Sequence, residues 1–166
     1  SGDVKSPQLS PDGKYLVVSV TDIEGERSLQ VYETSENTKA EQAFIKAQKN
    51  LLKNDPLDIP DSRPEIFGHK VKYRLEQVNK RQVNNPRWLS NKLQIVFGAL
   101  SRDSRGDFHQ DIFLWDLASD KVSQLTNGLN IRRFDITADG STLYGEQTRY
   151  GKSALVKLDL STLQLT

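Results

Sequence analysis

Ser6-Pro7-Gln8-Leu9-Ser10-Pro11-Asp12-Gly13-Lys14-Tyr15-Leu16-Val17-Val18 is the stretch on which the fold turns. It reads as a short strand, a tight turn and a second strand. Pro11 presets one φ, Asp12 can cap the turn, and Gly13 takes a positive φ at little cost. The run from Tyr15 to Val20 is aromatic and β-branched, and nearly continuous in apolar character. A strand of that kind is expected to be covered on both faces. A polar loop from Thr21 to Arg27 then leads to a third strand over 28–32.

The same unit returns twice. Pro86-Arg87-Trp88-Leu89-Ser90-Asn91-Lys92 aligns with residues 7–13 without a gap, and Ile95-Val96-Phe97 falls on Leu16-Val17-Val18. Asp139-Gly140 then aligns with Asp12-Gly13, Leu143-Tyr144 takes the second-strand place, and Leu158-Asp159-Leu160 echoes Trp115-Asp116-Leu117. Asp111-Ile112-Phe113-Leu114-Trp115-Asp116-Leu117 is the clearest strand. A fourth strand follows over 121–126, and 163–166 begins its counterpart. Repeats of this length and strand order are those of four-stranded propeller blades.

The first unit is longer because residues 34–70 interrupt it. Thr38 and Glu41 have capping-box spacing, and Ala40, Phe44, Ala47 and Leu51 share one helical face. The spacing predicts an amphipathic helix over 38–53, stopped by Asp55-Pro56. Asp55, Asp58 and Asp61 follow in a Pro-punctuated loop. Three carboxylates are potential ligands of a hard cation, but the ligand series of a calcium loop is missing, so turn caps are the favoured reading. The outer strand closing this blade is expected within 70–83. The expected fold is therefore all-β: a propeller segment of about three four-stranded antiparallel blades over 1–166, with an α-helical insert in the first.

Composition narrows function mainly by exclusion. The 166 residues carry 23 Lys and Arg against 22 Asp and Glu, so bulk charge gives no reason to expect nucleic acid or an anionic membrane. There is no cysteine, which removes disulfides and thiolate metal sites. No apolar run approaches the roughly 20 residues of a membrane helix. No Gly-x-Ser-x-Gly elbow is present, and the only histidines, His69 and His109, lie in polar, loop-like settings. Asp103, Asp107 and Asp111 are close in sequence, as paired catalytic carboxylates would need, yet a hairpin loop accounts for them. Gly151-Lys152-Ser153 lacks the upstream glycine of a phosphate loop, so no cofactor is expected. Arg132 and Arg133, with Arg149 and Lys152, could form a basic edge near Tyr150, but acidic residues are mixed among them, and nucleic acid is not expected as a partner.

The chain resembles the TolB-like (WD40-like) family of β-propeller repeats. Residues 9–14, 111–117 and Leu125-Thr126-Asn127-Gly128 carry that resemblance. It covers 4–33 and 86–166 and leaves out the insert. It implies blades of the kind found in periplasmic translocation-associated proteins, before serine-peptidase domains, and in the outer domains of membrane-bound regulators. The first expectation is accordingly a non-catalytic protein-interaction or ligand-sensing module, periplasmic or otherwise extracytoplasmic. One alternative is the substrate-gating propeller of a serine hydrolase whose catalytic domain lies elsewhere; another is the sensor domain of a membrane-bound transcriptional regulator. Three blades do not close a ring. The remaining blades of a longer chain, or a homodimer forming a six-bladed ring, are the expected partners, and no membrane contact is expected. Candidate partner-binding residues are Arg102, Arg105 and Arg132, with Trp88 and Tyr150 if exposed; a core position is the favoured reading for Trp88.

Overall fold

A computed structural model describes residues 3–35, 42, 45, 46, 49, 71–76, 82–90 and 92–166. The described residues form eleven strands: β1 (Asp3–Leu9), β2 (Tyr15–Thr21), β3 (Arg27–Glu33), β4 (Val71–Leu75), β5 (Asn84–Trp88), β6 (Gln94–Arg102), β7 (Phe108–Asp116), β8 (Lys121–Gln124), β9 (Ile131–Ile136), β10 (Thr142–Arg149) and β11 (Lys152–Asp159). They pair in sequence order, always antiparallel, into sheets β1-β2-β3-β4, β5-β6-β7-β8 and β9-β10-β11.

Two features of the expected fold are corrected. The third sheet has three strands; its fourth is a single bridge, Leu158 to Leu165. Among the described residues no helix forms an element, so the described architecture is all-β and the expected α-helical insert is not one of its elements. The capping-box and facial pattern at 38–53 is a local signal with no demonstrated packing partner, and such short helices depend on tertiary burial. Within that stretch only Gln42, Ile45, Lys46 and Lys49 are described; each has helical backbone and is exposed. Phe44, Leu51, the three aspartates at 55, 58 and 61, and His69 lie outside the described residues.

The middle blade explains the apolar runs. Along β6, Ile95, Phe97 and Ala99 point into a core shared with the first blade, while Val96 points into one shared with the third. Along β7, Phe113 and Trp115 join the first core and Ile112 the second. Period-2 alternation thus feeds two cores from one sheet. Val17, Leu29 and Val31 complete the first core; Ile131, Phe134, Leu143, Val156 and Leu158 complete the second. The outer face of the third blade is different. Tyr144, Glu146, Leu155 and Lys157 lie there, and Leu155 is 81% exposed.

The predicted equivalence of the turns holds down to individual bonds. At the first, Ser10 N–H donates to Tyr15 O (2.8 Å), Gly13 N–H to Ser10 O (2.9 Å) and the Ser10 hydroxyl to Asp12 (2.7 Å). At the third, Thr137 N–H donates to Thr142 O (2.9 Å), Gly140 N–H to Thr137 O (2.8 Å) and the Thr137 hydroxyl to Asp139 (2.6 Å). The glycines have φ +72° and +74°, a conformation that other residues adopt at a cost. In the second blade Leu89 N–H donates to Gln94 O (2.9 Å), so the backbone loop closes without the hydroxyl.

Gly145 marks the tightest approach in the third blade. A Cβ there would meet Ile131 Cγ2 at 2.7 Å and Phe134 Cβ at 3.2 Å. Gly145→Val is expected to destabilise the fold by about 1–3 kcal/mol through overpacking. Urea unfolding of the variant checks this; an unchanged midpoint would contradict it.

Candidate functional site

Each inner strand, β1, β5 and β9, meets its neighbour through a bulge; those of β1 and β5 fall at the same repeat position and that of β9 one residue earlier. Ser6, Asn85 and Arg133 lie within them, spaced by the same 79- and 127-residue offsets that relate the turns. Ser6 and Asn85 have φ +52° and +48°. Serine and asparagine are short enough to take this left-handed conformation, and asparagine is enriched in it. A bulge re-aims side chains next to it. Here the bulges open a cleft of about 420 Å³ at the end of the blades where β5 and β9 begin.

The cleft has three kinds of wall. Leu100 and Phe108, near the end of β6 and the start of β7, are apolar. Asn84, Gln110 and Asn130 supply amides, which hold one another: the Gln110 side chain donates to Asn84 Oδ1 (3.4 Å), and its backbone N–H to Asn130 Oδ1 (3.3 Å). Asn85 Nδ2 donates to Phe134 O (2.9 Å) and so ties the second inner strand to the third. Arg132 and Arg133 supply charge, and both are exposed.

Four of the five sequence candidates lie at this same end. Arg132 lines the cleft. Arg102 ends β6, donates to Gly106 O (3.0 Å) and lies 5.9 Å from the centre of the Phe108 ring. Arg105 sits in the β6–β7 turn. Tyr150, at the tip of the β10–β11 hairpin, is fully exposed with φ +49°. Trp88 is elsewhere: it is 9% exposed, belongs to the core between the first two blades, and stacks on Tyr15 with ring centres 6.2 Å apart. Sequence reasoning passed over Asn84, Asn85 and Gln110 and weighed Arg133 only in a basic edge near Tyr150; for Asn85 and Arg133 the signal was the repeat position shared with Ser6.

The acidic residues weighed for chemistry are structural. Asp103 accepts backbone N–H bonds from Arg105 and Asp107 (both 2.9 Å) and contacts His109 Nε2 at 3.1 Å. The Asp107 N–H, chiefly, holds its carboxyl below the usual range. Asp111 is fully buried and accepts from the Thr126 hydroxyl (2.8 Å), Gly128 N–H (2.9 Å), Leu129 N–H (3.0 Å) and the Ser101 hydroxyl. No group of three or more potential metal-ligating His, Asp or Glu side chains occurs among the described residues.

At the opposite end, Asp116 and Asp159 are both held down to about 2. For Asp116 the main cause is the Gln94 amide; for Asp159 it is the Ser161 hydroxyl. Asp12 and Asp139 are lowered in the same way by Ser10 and Thr137. A carboxyl whose folded pKa is depressed stabilises the fold above its unfolded pKa, near 4, and loses that contribution as pH falls through the folded value. The denaturation midpoint is therefore expected to be flat above about pH 5 and to fall between about pH 4 and 2. Asp159→Asn should remove part of that acid dependence. A midpoint insensitive to acid would contradict the turn geometry.

The chain matches no protein-family model and no curated protein. Its likeness is to solved structures. TolB from Acinetobacter baumannii superposes with a TM-score of 0.58 at 15% identity, over 97% of this chain and 31% of that one. Puromycin hydrolase gives 0.59 at 15% identity, over 99% and 21%. The β-propeller domain of the Trilobed protease from Pyrococcus furiosus gives 0.53 at 12% identity, over 99% and 41%. The chain thus spans between about a fifth and two-fifths of these three structures. Its fold is β-propeller-like, similar to those of TolB and of the β-propeller domain of the Trilobed protease.

Proposed function

We propose that the chain is part of the propeller of a serine hydrolase, admitting or orienting substrate while catalytic groups reside in another part of the protein. The observation that carries this reading is the cleft itself. It is built by the inner strands, it presents amides and arginines, and it holds no nucleophile paired with a base. His109, the one described histidine, contacts a carboxylate already committed to its own turn. Such a surface binds and positions and does not break bonds. Likeness to puromycin hydrolase and the Trilobed protease propeller supports the reading at the level of fold.

The test is labelling of the full gene product with a fluorophosphonate probe. The expected result is one modified serine outside residues 1–166, with the 166-residue chain alone unlabelled. Absence of labelling in the longest natural product would overturn it.

A non-catalytic interaction module is the second reading, favoured by likeness to TolB and by Tyr144 and Leu155 on the open third blade. An extracytoplasmic location rests on that likeness and is checked by fractionation. Closure of a six-bladed ring by two copies belongs to this reading too, and sedimentation as a dimer is its expected result.

A further inference from the structure

We propose that the cleft between the second and third blades binds a carboxylate carried beside an apolar group, as at the C-terminal end of a peptide. Arg132 and Arg133 are adjacent in β9. In a regular strand their side chains would leave on opposite faces. The register shift between Gly145–Phe134 and Gln147–Ile131 places both opposite the single residue Glu146, and both line the cleft.

Neither guanidinium makes a hydrogen bond or ion pair among the described residues. Glu146, opposite both arginines on β10, lies with Tyr144 on the outer face of the blade and makes no ion pair with either among the described residues, and the other neighbouring charges are already engaged. Asp135 holds Arg87 at 3.0 Å, and Arg102 is occupied by Gly106 O and the Phe108 ring. No carboxylate lines the cleft among the described residues. Two planar cations with no ion pair among the described residues, set beside amides, form a receptor for a planar anion, since guanidinium groups match carboxylate oxygens in paired geometry.

Leu100 and Phe108 decide the rest of the ligand. They give the cleft an apolar wall beside the arginines, so the anion is expected to carry an apolar side chain into it. A nucleic acid strand fits less well. It would call for a track of cations with open aromatic faces, whereas the Phe108 ring lies against Arg102 and Tyr150 projects alone from a hairpin tip. This reading stands apart from the hydrolase assignment: peptide binding by the 166-residue chain does not require a catalytic serine, and labelling of such a serine says nothing about the cleft.

The experiment titrates the full chain by calorimetry at low salt with N-acetyl-Leu-Phe as the free acid, the same dipeptide as its C-terminal amide, inorganic phosphate, and a short oligothymidylate. The free acid is expected to bind at least about tenfold more tightly than the amide, because only it offers the paired guanidinium bonds. Arg132→Ala and Arg133→Ala should each weaken the acid about fivefold or more and leave the unfolding midpoint unchanged. Arg105→Ala, in the nearby turn but outside the lining, should bind as the parent does. Equal binding of acid and amide, binding of neither, preference for phosphate or the oligonucleotide, or an effect of Arg105→Ala equal to that of the cleft arginines would each overturn the proposal.

Discussion

Asp111→Ala is expected to lower the unfolding free energy by about 4 kcal/mol or more, the largest effect of any polar substitution in the described chain. The carboxylate is fully buried and accepts four bonds. Two come from hydroxyls, which can rotate. Two come from the backbone N–H groups of Gly128 and Leu129, which cannot. Removing the acceptor strands those groups away from water, and each unsatisfied donor costs about 1–3 kcal/mol. The Thr126 hydroxyl also accepts from Ile112 N–H at 2.9 Å, so the disturbance reaches β7 itself. The segment held is the link from the second blade to the third, and its release should loosen β9 against β7. Asp111→Asn should be damaging too, because its amide nitrogen would face a fixed donor, the N–H of either Gly128 or Leu129. Asp107→Ala, in the same loop by sequence, should cost about 0.5 kcal/mol or less, as exposed substitutions generally do. Urea unfolding of the three variants decides it; a loss under about 1 kcal/mol for Asp111→Ala would contradict the network.

Asp111 also shows where sequence reading stops. Grouped with Asp103 and Asp107, it looks like one more loop carboxylate. Strand parity says otherwise: it lies on the same β7 row as Phe113 and Trp115, both core residues. A carboxylate on a core row needs donors, and Thr126, Asn127 and Gly128 downstream are the residue types of a loop that supplies them. The repeat itself was legible because its turn chemistry is local; Asp12-Gly13 and Asp139-Gly140 each fix a hairpin within six residues. Its offsets also placed Ser6, Asn85 and Arg133 in register, but not the bulges that turn them into one cleft. A bulge is a mismatch between two strands and leaves little trace in either strand alone. The expected helix is not among the described elements, and its signal is of the opposite kind. Its facial pattern is a statement about what the chain can form locally, and whether a packed helix results depends on what that face meets.

Trp88→Ala should destabilise the fold by about 3–5 kcal/mol, the usual consequence of emptying a large aromatic site in a core. Trp88 is placed between the first and second blades by β5. Its ring stacks on Tyr15 with planes 29° apart, and Tyr15 in turn meets Tyr73 edge-on at 6.5 Å. Its Nε1–H donates to Gln8 O at 2.9 Å, so the side chain also joins two inner strands. Truncation therefore removes a packing block and leaves a backbone carbonyl without its donor. Trp88→Phe should recover most of the packing and lose only the bond, a net of about 1–2 kcal/mol. Were Trp88 a partner contact, Trp88→Ala would unfold at the parent's denaturant concentration and lose binding instead. Tyr150 supplies the contrast. It is fully exposed, and its φ of +49° suits asparagine better than tyrosine. Tyr150→Asn is expected to leave stability unchanged or raise it by about 0.5 kcal/mol, so any loss it causes in a binding assay can be assigned to contact. Trp88, for which the sequence favoured a core position, and Tyr150 are thus separated by one physical variable, the water each gives up on folding, and unfolding measurements read that variable directly.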